Sequence, residues 1–548
     1  MAIVFSQIQI KPKERARQAS GKGWMWLFLA LLAVSLPLGA AYFVKDRLPG
    51  LLPESLSFSL PGMEPSIERA VEGNAGIIKV PKGGDLQKAI NMAQPGDTIV
   101  LEAGATYTGA FTLPVKSGNQ YITIQSSALN QLPEGKRVDP ALAKHMPKIV
   151  SAKGRSAFTL EPKAHHYKLI GLEISPGSAD YVYNLVDLGT AAEKVADVPH
   201  STEIDRCFLH PFKTGTTRRG IALNSANTVV KNSYLQGFAF PGEETQAICG
   251  WTGTKNVKVL NNYLEGGAEN IMFGGSDPKS ADLIPTDVEV RGNWLRKPED
   301  WKARGASMKT LFELKNVKRA QVIGNLMENA PDGEAMRITI RNQDGGAPFS
   351  TIEDVVIKNN VVKNATNGLL FLGMDNNYPS QRMKRVKVVN NLFLDFQSHF
   401  MTITDGEDIE ISHNTVFHKG NIVSAYGVPV RRFIFRDNII GYNEYGLFGE
   451  NVGVGARVAA KYFPDGTFRS NAIVNNRGMS SGAMSLPGGN FEIKGFESVG
   501  FVSYAGKDFR LAPGSKLKNK ALDKTDVGCD INALLADLPK DLHARLQQ

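Results

Sequence analysis

A short pattern returns through the middle of this chain: three or four residues of alternating apolar character, then Asn, then an apolar pair. It stands at Val257 to Asn262, Val288 to Asn293, Ala320 to Asn325, Val355 to Asn360, Val386 to Asn391 and Ile409 to Asn414, and continues at Phe433 to Asn438 and Phe468 to Asn471. Successive Asn residues lie 31, 32, 35, 31, 23, 24 and 33 positions apart, with Ser233 and Cys207 in the equivalent place upstream. Period-two runs rich in β-branched residues and bounded by Gly, Asn and Asp are short strands, not helices. A repeat of this length holding several such strands cannot bury its apolar face alone, so its copies must stack. The expected fold is all-β: a right-handed parallel β-helix, a single-chain solenoid of about 12 to 15 coils. Asn suits the turn because it tolerates the left-handed conformation and its amide can bond the same residue one coil away. Asn262, Asn293, Asn325, Asn360, Asn391, Asn414 and Asn438 should therefore form one ladder.

A solenoid needs a cap over its open end. Asp85 can N-cap a helix whose Leu86, Ala89, Ile90 and Ala93 share a face, stopped by Pro95-Gly96. From there, Gly96-Asp97-Thr98-Ile99-Val100-Leu101 turns into the first full strand. The stretch from Leu86 to Tyr107 resembles the start of pectate-lyase-type β-helix proteins and is most similar to the polysaccharide lyases of the chondroitinase B and alginate lyase group. Asp508-Phe509-Arg510-Leu511, Pro513-Gly514-Ser515 and Val527-Gly528 resemble the closing segment of many bacterial β-helix proteins.

Composition enters at the termini. The formal charge is +9, yet Lys11, Lys13, Arg15, Arg17 and Lys22 against Glu14 supply a surplus of four before residue 24. The remaining excess is too dilute for a nucleic-acid footprint and compatible with an acidic polysaccharide partner. Residues 24–44 carry no charge and are long enough to span a bilayer. The basic leader keeps the N-terminus in the cytoplasm and sends the remainder across. The expected organisation is a cytoplasmic tail (1–23), one transmembrane signal anchor (24–44), a Pro-rich spacer (45–75), the β-helix (76–515) and a closing segment (516–548). The rival for 24–44 is a cleaved signal peptide ending at Gly39-Ala40-Ala41. Either way the main domain lies outside the cytoplasm, at the inner membrane or beyond it. The sequence fixes no oligomeric state.

Stacked coils turn residues distant in sequence into neighbours about 4.8 Å apart. The strands preceding the Asn strands end in Asp277, Lys315, Arg341, Asp375 and Asp405, two cations flanked by carboxylates along one sheet edge. β-Elimination from a uronic acid needs a cation on the sugar carboxylate, a base for the C5 proton and a donor at the leaving oxygen. The resemblance implies a Lys base and an Arg one coil apart. Leu314-Lys315-Asn316 and Ile340-Arg341-Asn342-Gln343-Asp344 are similar in layout, with Lys315 matching the base and Arg341 the acid. Asn316 replaces the group's Ser, and Asn342-Gln343 its His-Gly. A calcium ion is the cofactor the resemblance offers, but residues 306–312 hold no acidic ligand and no metal ligands are assigned. Asp277, Asp344, Asp375, Asp405, Trp251 and Trp301 are the expected substrate-binding residues, with Trp294 and Tyr378 as further stacking candidates.

Two other functions fit the same surface. Asp375 and Asp405 could form a hydrolase's carboxylate pair, although there is no Asp-Asp and no His-Gly. A non-catalytic glycan-binding or scaffold protein would use the groove without chemistry. His165 and His166 should point to opposite faces of a strand, His413 and His418 should lie at the surface, and Cys207 and Cys249 should pack inside. No phosphate loop, nucleophile elbow or dinucleotide fingerprint occurs.

Overall fold

The computed structural model describes residues 67–72, 75–478 and 486–546. The anchor at 24–44 and most of the spacer lie outside the described residues. Among the described residues no helix is long and apolar enough to cross a membrane.

A 15-stranded sheet runs the length of the domain, its first strand antiparallel and the other 14 parallel, so the chain completes 14 coils. The other two strand stacks form a single 25-stranded sheet, because Leu326–Thr339 and Val361–Leu372 each run through both without a break. We number the stacks in the order a coil visits them: first the 15-stranded sheet, second the strands that follow each Asn turn, third the strands that precede the next return. The architecture is a parallel β-helix. Alternation decides what is inside: in Thr98–Leu101, Ile99 and Leu101 are buried while Thr98 and Val100 are half-buried. The buried set merges into one core from Ile78 to Ile473.

The cap is the helix Leu86–Met92, with Asp85 Oδ1 accepting from the Lys88 N–H at 2.9 Å and Leu86, Ala89 and Ile90 buried. Residues 68–72, read from sequence as spacer, form a strand antiparallel to Ala75–Val80, and Arg69 ion-pairs with the fully buried Asp97. Beyond the last coil strand, Phe491–Ile493, the chain makes a separate hairpin, Phe501–Ser503 with Asp508–Leu511. It then returns along the outside of the second stack over a second apolar cluster.

The Asn ladder forms as expected and reaches further. Each Oδ1 accepts both the N–H and the Nδ2 of the Asn one coil before it, for example Asn360 from Asn325, both at 2.9 Å. The run continues from Asn262 through Asn438 to Asn471 and Asn490. The left-handed residue is the one before each ladder Asn: Asn261, Gly292, Gly324, Asn359 and Asn390 have φ of 53, 67, 63, 57 and 56°, and Asn232, before Ser233 in the equivalent place upstream, has 52°. Two adjacent positions thus divide the work, one bending the backbone and one bonding along the axis.

The histidines also differ from expectation. His166 has φ 59°, which breaks the strand alternation and brings His165 Nδ1 and His166 Nδ1 to 2.7 Å on one side, with the His200 ring stacked on His165. His418 is buried, its Nε2 against the Gly441 carbonyl at 3.0 Å, and His413 is wedged beside Asp523. Cys207 lies in the core as expected, whereas Cys249, equally buried, sits outside it beside Arg219.

Candidate functional site

The third stack aligns Ile248, Ile271, Phe312, Met336, Leu369 and Met401 in register, all of them core residues. Alternation then turns Cys249, Met272, Glu313, Arg337, Leu370 and Thr402 to the outer side. At the downstream corner Lys315 N–H donates to Phe273 O at 2.7 Å, and Arg341 N–H donates to Lys315 O at 2.9 Å. Lys315 and Arg341 therefore occupy one corner on adjacent coils, as the sequence spacing implies. The coil before them carries Gly274 and Gly275, with φ of 98 and 89°. A Cβ on Gly274 would fall 2.8 Å from Lys315 Cβ, so glycine leaves the space this lysine crosses.

Beside that corner lies a charge cluster the sequence reading missed. Glu269 and Glu313 are buried, their carboxyls hydrogen-bond one another, and Lys309 Nζ reaches Glu269 Oε1 at 2.9 Å and Glu313 Oε2 at 2.8 Å. Gln246 Nε2 adds a bond to Glu269 at 2.8 Å. Burial pushes the Glu269 carboxyl up, but Lys309, the bond from Glu313, Lys315 and Gln246 outweigh it and bring it down to about 2. Burial and the negative charge of Glu269 hold Glu313 above its ordinary range, against Lys315 and Lys309. The two carboxyls are thus pushed in opposite directions. Lys309 neutralises Glu269, and the Lys315 amino group, near both carboxyls, makes no hydrogen bond or ion pair with a described residue. Calcium does not fit here: it takes six to eight oxygen ligands, and an ammonium already fills the space between these two carboxyls.

Lys297 supports the cluster from beneath. It is wholly buried, with Nζ donating to the carbonyls of Gly266 at 2.6 Å, Gly267, and Ala268 at 3.4 Å. Burial draws the amine down to about 7, against the pull of Glu269. The turn it holds delivers Glu269 to its place. A Cβ on Gly266 would meet Glu269 O at 2.0 Å, which is why this corner is Gly-Gly.

Three of the four expected acidic binders serve the scaffold instead. Asp277 accepts the N–H groups of Gln343 at 2.6 Å, Asp344 at 2.9 Å and Gly346 at 2.8 Å, tying a loop down. Asp375, with 2% of its side chain exposed, accepts from Asn342 and Asn377 N–H and lies 3.4 Å from Arg341 Nη1. Asp405 is buried against Arg382 at 2.6 Å. Carboxylates committed in this way are not free for a sugar or for hydrolysis, and the Glu269–Glu313 pair is in mutual contact, too close to admit a water between. Trp301 is 2% exposed and packs beneath its loop, so it cannot stack on substrate. Trp294 is covered by Arg545, 4.0 Å from its ring. Asp344 and Tyr378 are exposed and Trp251 is half-buried at the rim.

No family model matches this chain, and no curated protein matches it. Solved structures similar to it include an alginate lyase from Paenibacillus sp. str. FPU-7, at 13% identity and TM-score 0.32, covering 69% of this chain and 99% of that one. The PL6 family alginate lyase AlyGC aligns at 12% identity and TM-score 0.45 over 85% of this chain and 58% of its own. Pectate lyase Pel9A aligns at 12% and TM-score 0.34, over 84% and 96% respectively.

Proposed function

We propose that the outer face of the third stack binds an acidic polysaccharide and cleaves it by β-elimination. Lys315, as the free amine, takes the C5 proton and becomes an ammonium, the electron pair forms the C4–C5 double bond as the C4–O bond breaks, and Arg341 supplies the donor at the departing oxygen. The observation that carries this reading is the Lys315 amino group, without a hydrogen bond or ion pair to any described residue and one coil from Arg341, while the neighbouring carboxylates are committed elsewhere. Alginate, pectin and glycosaminoglycans, followed by the ultraviolet absorbance of unsaturated uronate, test it. The parent should act on one of them, and Lys315→Ala should lose about 10² to 10⁴ in rate while still binding. A parent that binds but never turns over supports the second reading, a glycan-binding protein, which the engagement of Arg341 by Asn376 at 2.6 Å favours.

The uncharged run 24–44 and the basic residues before it support a tether holding this domain outside the cytoplasm. A reporter active only in the periplasm, fused after residue 75, should be active. Its silence would remove the tether from the proposal.

A further inference from the structure

Three coils upstream of Lys315, the third stack buries an arginine with no anion to meet it. Arg219 stands in strand Thr217–Ala222, between Asn184 and Gln246 in register, and is 7% exposed. Its guanidinium is clasped by two rings, with Tyr183 4.9 Å and Trp251 4.6 Å from their centroids. Its polar neighbours are uncharged: Asn184 Oδ1 at 3.4 Å from Nη1, the Tyr183 hydroxyl and the Cys249 thiol, which burial pushes up to about 11. Its Nε has no partner, and no described carboxylate ion-pairs with it. Its neighbour Arg218, whose Nε likewise lacks a hydrogen bond, does face a carboxylate, with Glu243 at 3.4 Å and the Tyr183 hydroxyl at 3.0 Å. Charged side chains this deeply buried are paired as a rule, because an uncompensated charge out of water is costly.

The rim above is aromatic and open, with Tyr183 49% exposed and Tyr181 43% exposed. Trp251 also borders a mostly polar groove of about 400 Å³, which it shares with Thr190, Glu193, Asp277, Lys279 and Asp344. Aromatic faces beside a recessed guanidinium suit a flat, ring-shaped ligand bearing one negative group.

We propose that Arg219 is an anion-recognising subsite that takes the carboxylate of a uronate unit in the polymer, with the sugar ring against Tyr183 or Trp251. This rests on reading the third stack as a polysaccharide groove. At about 4.8 Å per coil, Arg219 lies about 14 Å along the axis from Lys315, so one chain engages both. The missing counter-charge is brought by the ligand, which explains why the protein supplies none.

Calorimetric titration of the full chain and of Arg219→Gln tests this, with oligomannuronate, oligogalacturonate, chondroitin sulfate oligosaccharides and neutral mannan oligosaccharides as probes. Arg219→Gln should weaken binding of a carboxylated oligosaccharide about 10- to 100-fold and leave neutral ones unchanged. It should also melt no lower than the parent, since an unpaired buried charge is removed. If the glutamine variant fails to fold, Arg219→Lys carries the same comparison: charge is kept, the planar fork is lost, and affinity should fall at least tenfold. Equal affinity of parent and variant for oligouronates overturns the subsite, and a loss confined to sulfated probes overturns the carboxylate. A parent that binds oligouronates through Arg219 without cleaving them leaves the subsite standing and removes the lyase reading. A parent that binds no polyanion removes both.

Discussion

Lys297 and Lys309 flank one loop and meet opposite surroundings. Lys309 sits between two carboxyls and is held protonated well above its usual range, whereas Lys297 has only carbonyls at its tip and is drawn down to about 7. The linkage for Lys297 has a definite sign. Between pH 7 and its unfolded value of 10.5 the unfolded chain binds more protons, so stability rises with pH across that window and is flat below it. The urea midpoint of the parent relative to Lys297→Met should therefore climb between pH 7 and pH 10. Glu269 has the other sign: depressed to about 2, it contributes stability that is present above pH 4.5 and lost as pH falls toward 2. Glu269→Gln removes the charge that holds Glu313 up, so Glu313 becomes the counter-ion of Lys309, and the loss of the Glu269 ion pair should cost about 1.5–3 kcal/mol in urea unfolding. Glu313→Gln keeps a hydrogen-bonding group beside Glu269 and removes the carboxyl that the Glu269 charge disfavours, and should cost less than about 1.5 kcal/mol.

Among elements, the ladder turn was legible in sequence because its signal is the recurrence of one residue type at one place in each coil. The Lys315–Arg341 corner was legible for the same reason, since both follow a strand by one or two residues. The Glu269–Glu313 cluster was not. Each glutamate looks like an ordinary strand residue, and their contact exists only through the register that pairs Met272 with Glu313. The acidic row failed differently: position in the coil was read correctly, but backbone N–H groups of the loops, invisible in a sequence, claimed Asp277 and Asp375 first. His166 escaped alternation because one left-handed residue reverses the facing of its neighbours. The ladder itself gives a prediction. Asn360 Oδ1 takes two donors from Asn325, and its Nδ2 reaches Val322 O and Asn391 Oδ1, each at 2.9 Å. Asn360→Ala orphans several buried groups at once and should cost about 3 kcal/mol or more in urea unfolding.

For the whole molecule, coils that touch only their neighbours would come apart one at a time from either end. The segment running back along the second stack changes this. Arg137 bonds Asp541 at 3.1 Å, Arg291 bonds Asp537 at 3.1 Å, Lys363 Nζ reaches Arg545 O at 2.9 Å, and Asp530 N–H meets Asn390 Oδ1 at 2.6 Å. Gly324 admits this segment, since a Cβ there would stand 2.4 Å from Asp537 O. Deleting residues 531–546 should convert a single cooperative melt into a broad or stepwise one by calorimetry. The parent's sharpness should not return with added salt, because much of the contact is apolar. There is a consequence for biogenesis. Coils emerge from the ribosome in order, and each can stack as it appears. The clasp joins residues 404 positions apart and can close only after Asp541 has followed. Until then the chain is a row of separately yielding segments that can be threaded through a narrow passage, and afterwards it resists being pulled from one end.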